Sequence, residues 1–151
     1  MKNLLIVYHT RGVKTTQLAE AVARGAGGEA DVVVRLMRCA EAGPQDVLDA
    51  DALVLGTPEN FGYMSGMMKD FLERVFYACE GKVNGRPWAL FVGAGQDGSG
   101  AVASVERIVI GLRLRRVHDP IIGLKDLTRE MTDSCEELGA AFAAGLALGV
   151  F

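Results

Sequence analysis

Residues 53–73, LVLGTPENFGYMSGMMKDFLE, read as a strand, a loop and a helix in succession. Leu53, Val54 and Leu55 close a short apolar run that begins near Ala50. Pro58 has no N–H and biases Thr57 away from helical geometry, so regular structure is expected to stop there. The loop 59–64 carries two aromatic residues, Phe61 and Tyr63, around Gly62. Ser65 predicts a helix N-cap, because its hydroxyl can accept from a first-turn N–H. Met68, Phe71, Leu72, Val75 and Phe76 then fall on one helix face. An open parallel sheet gathers its ligand loops at strand ends of this kind.

The same alternation extends to both sides. Residues 3–8 (NLLIVY) form a continuous apolar run of strand length, the pattern of a parallel strand buried on both faces. A loop, 9–16 (HTRGVKTT), leads into a helix over 15–26 with Leu18, Ala19, Val22, Ala23 and Ala26 on one stripe. Residues 31–37 predict a second strand, and Pro44 opens a short helix. The long helix runs over about 65–80, and residues 87–93 (PWALFVG) give the fourth strand. After the glycine-dense loop 93–100 (GAGQDGSG), a helix is expected over 101–112 and a weak fifth strand over 117–122, broken by Pro120. A last helix is expected to begin between Thr128 and Asp133. Alternating strands and helices joined by right-handed crossovers predict a doubly wound α/β fold with a parallel sheet.

Size and composition narrow the function classes. The 151 residues fit one domain, 1–151, with enough chain to bury a core. Half of the residues are hydrophobic and the net charge is −3, so no basic field points to nucleic acid. Cys39, Cys79 and Cys135 are odd in number and form no CxxC pair, which argues against a disulfide framework or zinc site and for a cytoplasmic protein with reduced thiols. The apolar run at the N-terminus is too short for a secretory leader. The uncharged stretch 138–151 is shorter than the roughly 17–25 residues of a spanning helix, so a buried terminal helix without membrane insertion is expected. Its Gly139, Ala143 and Gly145 are the residues on which a homodimer contact is expected.

Three loops follow the first, third and fourth strands and differ in chemistry. The first offers Thr10, Thr15 and Thr16, the cations Arg11 and Lys14, and a helix N-terminus, a combination suited to phosphate. A Walker loop and a phosphatase cysteine are missing there, and Thr57 stands at the end of the third strand where a receiver domain needs an aspartate, so the first loop reads as holding a phosphate without transferring it. In the other two loops Phe61 and Tyr63 can wall a flat ring, and Gly62, Gly93 and Gly95 permit close backbone approach. No Ser/His/Asp set or carboxylate pair is evident. His9 and His118 have no partner ligands at metal spacing and read as structural. A phosphate cradle beside an aromatic cleft, without acid–base machinery, points to a cofactor that carries the chemistry, and FMN has the matching shape.

The stretch GTPENFGYMSGMMKDFLERV closely resembles the GTPxxFGxMSGxMKxFLD signature of flavodoxin-like NAD(P)H-dependent FMN reductases and the tryptophan-repressor-binding-protein-like quinone reductases. YHTRGVKTTQLAEAV resembles the family's YxSxTGNTxxLAxAV phosphate loop, and GAGQDGSG its glycine-rich flavin loop. The resemblance implies a flavodoxin-like five-stranded sheet of order 2-1-3-4-5. It implies FMN held at its phosphate by Thr10, Arg11, Gly12, Lys14 and Thr15, and along its ring by Pro58, Glu59, Asn60, Phe61 and Gly62. Gly93, Ala94, Gly95, Gln96 and Asp97 would flank the pyrimidine edge, with His118 near the ring. Where the family has TGNT this chain has GVKT, and the charge of Lys14 is expected to offset the lost hydroxyl. The implied activity is electron transfer from NAD(P)H through FMN to a quinone, flavin or similar small-molecule acceptor. The alternative is a flavodoxin-type electron carrier without NAD(P)H oxidation of its own.

Overall fold

The computed structural model describes residues 1–151. Its elements run β1 (Lys2–Tyr8), α1 (Lys14–Ala26), β2 (Val32–Arg38), α2 (Pro44–Asp49), β3 (Ala52–Asn60), β4 (Tyr63–Met64), α3 (Gly66–Cys79), β5 (Pro87–Ala94), α4 (Ser99–Val109), a 3₁₀ turn (Ile110–Leu112), β6 (Arg115–Arg116), β7 (Ile121–Leu124) and α5 (Arg129–Leu148). The parallel sheet is ordered β2-β1-β3-β5, with β6 and β7 both pairing β5. This is the flavodoxin-like order expected from the sequence.

The apolar runs are continuous because both sheet faces are covered. Leu5, Val7, Leu53, Leu55, Leu90 and Val92 point to one side, into a core built with α2, α3 and α4. Their neighbours Leu4, Ile6, Tyr8, Ala52, Val54, Ala89 and Phe91 point to the other, into a core built with α1 and α5. Period-two alternation thus feeds two cores from one set of strands. Ser65 caps α3 by accepting from Met68 N at 3.1 Å, and Thr128 caps α5 by accepting from Met131 N at 3.3 Å.

Four expectations are corrected. First, Pro58 does not end regular structure: β3 continues to Asn60 and turns back as β4, with Glu59 opposite Met64 and Asn60 opposite Tyr63. Pro58 is tolerated because the ladder it would interrupt is close to its end, at the Pro58–Gly93 pair. Second, the fifth strand is divided. β6 pairs Pro87 and Trp88, while β7 pairs Phe91 to Ala94. His118, Asp119 and Pro120 bulge between them, since Pro120 has no N–H to donate to a ladder. Third, α4 starts and ends earlier than expected, and its last turn tightens into the 3₁₀ segment.

Fourth, the small residues of α5 do not form an outward face. Gly139 lies against α1 so closely that a Cβ would stand 1.9 Å from Val22 O. Reciprocally, a Cβ at Gly25 of α1 would stand 1.8 Å from Glu136 O. Ala143 is buried and Gly145 packs under the Phe151 ring. The stripe on which a homodimer was expected is consumed inside the chain. No helix is long and apolar enough to cross a membrane. All three cysteines are unpaired and buried, and burial pushes the thiols of Cys39 and Cys135 up to about 12.

Candidate functional site

The carboxyl ends of β1, β3 and β5 lie side by side, because Tyr8 is in register with Gly56 and Pro58 with Gly93. All fifteen residues expected to bind a cofactor stand at or just beyond these ends.

The first loop is tied to β3 by His9 N, which donates to Gly56 O at 3.0 Å. Thr10 Oγ1 accepts from Gly12 N at 3.2 Å and donates to Gly12 O at 2.8 Å, folding the loop on itself. Helix α1 then begins without a side-chain cap, so its first-turn N–H groups have no side-chain acceptor. Thr15 is 3% exposed as a residue; its hydroxyl makes no hydrogen bond within the chain and is not among the buried polar atoms, so the little surface the residue keeps includes that oxygen. It is packed by β5, since a Cβ at Gly93 would come to 3.0 Å from Thr15 Oγ1. Burial lowers the His9 pKa, and Arg38 and Arg11 lower it further.

Lys14 reaches away from its own loop. Its Nζ donates to Ala94 O at 3.0 Å and, more closely, to Lys125 O. Burial lowers its pKa, and Asp126 partly opposes that shift. The site therefore includes the turn between β7 and α5, which sequence reasoning missed. The only available signal was the Gly-Leu-Lys-Asp run after the weak strand, and ending that strand at Ile122 hid it.

The second loop is a β-hairpin. Phe61 and Gly62 are its two turn residues and both have positive φ, 56° and 67°, as a two-residue turn matched to strand twist requires. Glycine takes this geometry freely, but Phe61 takes it at a cost of order 1–3 kcal/mol. Phe61 is also fully exposed. The hairpin leans on α4: a Cβ at Gly100 would stand 2.0 Å from Gly62 O, and Met64 N donates to Ser104 Oγ at 2.9 Å. At its base, Ser65 N donates to Thr57 Oγ1 at 3.0 Å.

Glu59 joins the second loop to the third. Its Oε1 accepts from Gly98 N and its Oε2 from Ala101 N, both at 3.0 Å. Helix α4 has no cap of its own, so a carboxylate from the hairpin supplies one. Gly95, Gln96 and Asp97 are exposed between Ala94 and Gly98, and Asp97 accepts from Ser99 Oγ. Open space surrounds the Cβ positions of Gly12 and Gly95.

His118 is not brought to this edge. It projects from the bulge between β6 and β7, at the level of strand β5 between Trp88 and Phe91, and its Nδ1 lies 2.7 Å from Asp119 O. The largest cavity, about 690 Å³, lies elsewhere, in the groove between α3 and α4 lined by Tyr63, Phe76, Tyr77 and Ile108.

Residues 1–122 match the NADPH-dependent FMN reductase family. The chain is 28% identical to a flavodoxin of Aquifex aeolicus over 99% of its own length and 90% of that protein. It is 30% identical to an NAD(P)H dehydrogenase (quinone) of Acidithiobacillus ferrooxidans over 61% of its own length, and spans 56% of that longer protein. Among solved structures, a flavodoxin from the domain Archaea superposes with a TM-score of 0.83 at 19% identity, over 96% of this chain and 99% of the other, a likeness of fold. The chain thus belongs to the NADPH-dependent FMN reductase family, as a flavodoxin-like oxidoreductase that uses FMN and NAD(P)H.

Proposed function

We propose that this sheet edge holds FMN and passes electrons from NAD(P)H to a quinone, free flavin or similar small acceptor in the cytoplasm. The phosphate is assigned to the head of α1, with Thr10, Arg11, Gly12, Lys14 and Thr15 around it. The ring is assigned to the space between Pro58, Glu59, Asn60, Phe61 and Gly62 on one side and Gly93, Ala94, Gly95, Gln96 and Asp97 on the other.

The observation that carries the reading is Thr15. Its hydroxyl is committed to no partner in the chain and still reaches solvent, although the residue as a whole is almost covered, and it stands on the first turn of an uncapped helix. An anion at that place accepts from Thr15 Oγ1 and the first-turn amides together. The open space beside Gly12 and Gly95 leaves room for close backbone approach. An exposed aromatic on a strained turn is the second mark of fit, because a flat ring laid against Phe61 removes apolar surface from water. Glu59 contributes by holding the third loop, since both of its oxygens are already engaged.

FMN, when bound, supplies the hydride and electron chemistry; the chain's residues hold and orient it. A protein acceptor, the flavodoxin pattern, is the second reading. It draws on the Aquifex relative, which matches along nearly the whole chain.

Titration of the protein into FMN tests the assignment. Flavin fluorescence is expected to quench. Thr15→Val is expected to weaken FMN about tenfold or more, in line with loss of one hydrogen bond to a charged group, while riboflavin binding stays unchanged. Unquenched FMN overturns the proposal. Mixing with NADPH and then a soluble quinone is expected to bleach and restore the flavin colour; restoration only by a protein acceptor favours the second reading.

A further inference from the structure

Lys14 is the first residue of α1, and both of its hydrogen-bond acceptors are main-chain carbonyls far away in sequence. Ala94 O ends β5, and Lys125 O lies in the turn after β7. Ala94 O also accepts from Lys125 N at 2.8 Å, so the two bonds share one oxygen and close a triangle of Lys14, Ala94 and Lys125. Lys125 has φ 61°, a left-handed conformation that a non-glycine residue adopts only when its surroundings hold it. Its carbonyl is held by Lys14. An ammonium has three donors, and two are committed to this triangle. No carboxylate forms a salt bridge with Lys14.

A cation beside a phosphate cradle is ordinarily read as a ligand of the phosphate. The geometry here gives it another task. We propose that Lys14 is a positioning residue: it locks the end of β5 and the β7–α5 turn to the head of α1, and so sets the spacing between the phosphate end and the ring end of the crevice. The inference rests on the FMN assignment for its functional half, but the lock itself belongs to the flavin-free chain. Ala94 is followed directly by Gly95, so removing the ammonium leaves Ala94 O held by Lys125 N alone and loosens the base of the loop assigned to the pyrimidine edge. Such a lock acts on every ligand that uses that edge, with or without a phosphate.

The experiment compares wild type with Lys14→Met, Lys14→Gln and Lys14→Arg. Amide hydrogen exchange at Lys125 is measured without flavin, and affinities are measured for both FMN and riboflavin. Met removes the donors and Gln is too short to reach, so both are expected to speed Lys125 exchange at least tenfold and to weaken riboflavin and FMN alike, by at least threefold. Arg retains a cation with several donors and is expected to rescue riboflavin affinity. Use of two loss variants guards against one failing to fold. Unchanged Lys125 exchange overturns the lock. Loss of FMN affinity with riboflavin affinity intact makes Lys14 a phosphate ligand and overturns the positioning role. If wild type binds neither flavin, the FMN assignment fails, while Lys125 exchange still decides the lock.

Discussion

Replacing Glu59 tests whether the hairpin and the glycine-rich loop are one mechanical unit. Its carboxylate takes a backbone N–H on each oxygen, at 3.0 Å, from residues 39 and 42 positions along the chain. Hydrogen bonds to a charged group contribute about 1.5–3 kcal/mol each, and a carboxylate at a helix N-terminus adds about 0.3–1 kcal/mol. Glu59 is partly exposed, which favours the low end of both ranges. Ala101 is fully buried, so its N–H has no water to fall back on. Glu59→Ala is therefore expected to destabilise by about 2–4 kcal/mol. Glu59→Gln keeps one acceptor but sets its NH₂ against the second N–H, for about 1–2 kcal/mol. Urea unfolding at constant slope measures both, and the Ala variant should melt about 5–15 °C lower. Glu73→Ala is the control, because it breaks only the exposed pair with Lys69 and should stay within about 0.5 kcal/mol. Glu59→Ala within that same margin refutes the reasoning, for the carboxylate would then not be holding α4.

Two further outcomes follow from the packing and the charges. Gly139→Ala places a Cβ 1.9 Å from the Val22 carbonyl oxygen, a backbone atom that moves only if α1 and α5 separate. Overpacking of this kind should outweigh the roughly 1 kcal/mol gain in helix propensity and leave a net loss of about 2 kcal/mol or more by urea unfolding; Gly66→Ala, which meets open space, should be near neutral. His9 should titrate below its usual 6.5 because burial, Arg38 and Arg11 all disfavour the imidazolium. The unfolded chain then binds the proton more readily than the folded one, so this group subtracts stability as pH falls from 6.5 through the folded value and contributes no slope above 6.5. An NMR titration checks the order, and Arg38→Ala should move the His9 midpoint upward.

Much of the fold was legible because both faces of the parallel sheet are covered. The runs through Leu4 to Tyr8, Leu53 to Leu55 and Leu90 to Val92 had to be apolar at every position, and that marks such strands plainly. The cap at Ser65 was legible because capping is local chemistry, and the start of α5 at Arg129 falls inside the range expected for it. The hairpin was not. Pro58 and Gly62 are loop signals at short range, and what overrides them is support from α4 through Gly100 and Ser104, about 40 residues on. The α5 stripe shows the same gap. Gly139, Ala143 and Gly145 announce a close approach but do not say to what, and the surface that uses Gly139 is α1 of the same chain.

The two side chains that organise the site illustrate why its residues could be anticipated while its construction could not. Lys14 and Glu59 carry opposite charges, and each is directed at main-chain groups of its own complement: Lys14 at the carbonyl of Ala94, Glu59 at the amides of Gly98 and Ala101. Every residue has a carbonyl and nearly every one an N–H, so the partners leave no mark in the sequence. Together they grip the segment after β5 at both ends, leaving only Gly95, Gln96 and Asp97 between the holds. A glycine-rich stretch is the costliest kind of chain to order. Anchoring it from two sides, by a cation from the first loop and an anion from the second, limits that freedom before any ligand arrives. It also makes the three loops mechanically dependent, so releasing either hold should weaken the effect of releasing the other, and the double variant Lys14→Met, Glu59→Ala should weaken riboflavin by less than the product of the two single losses.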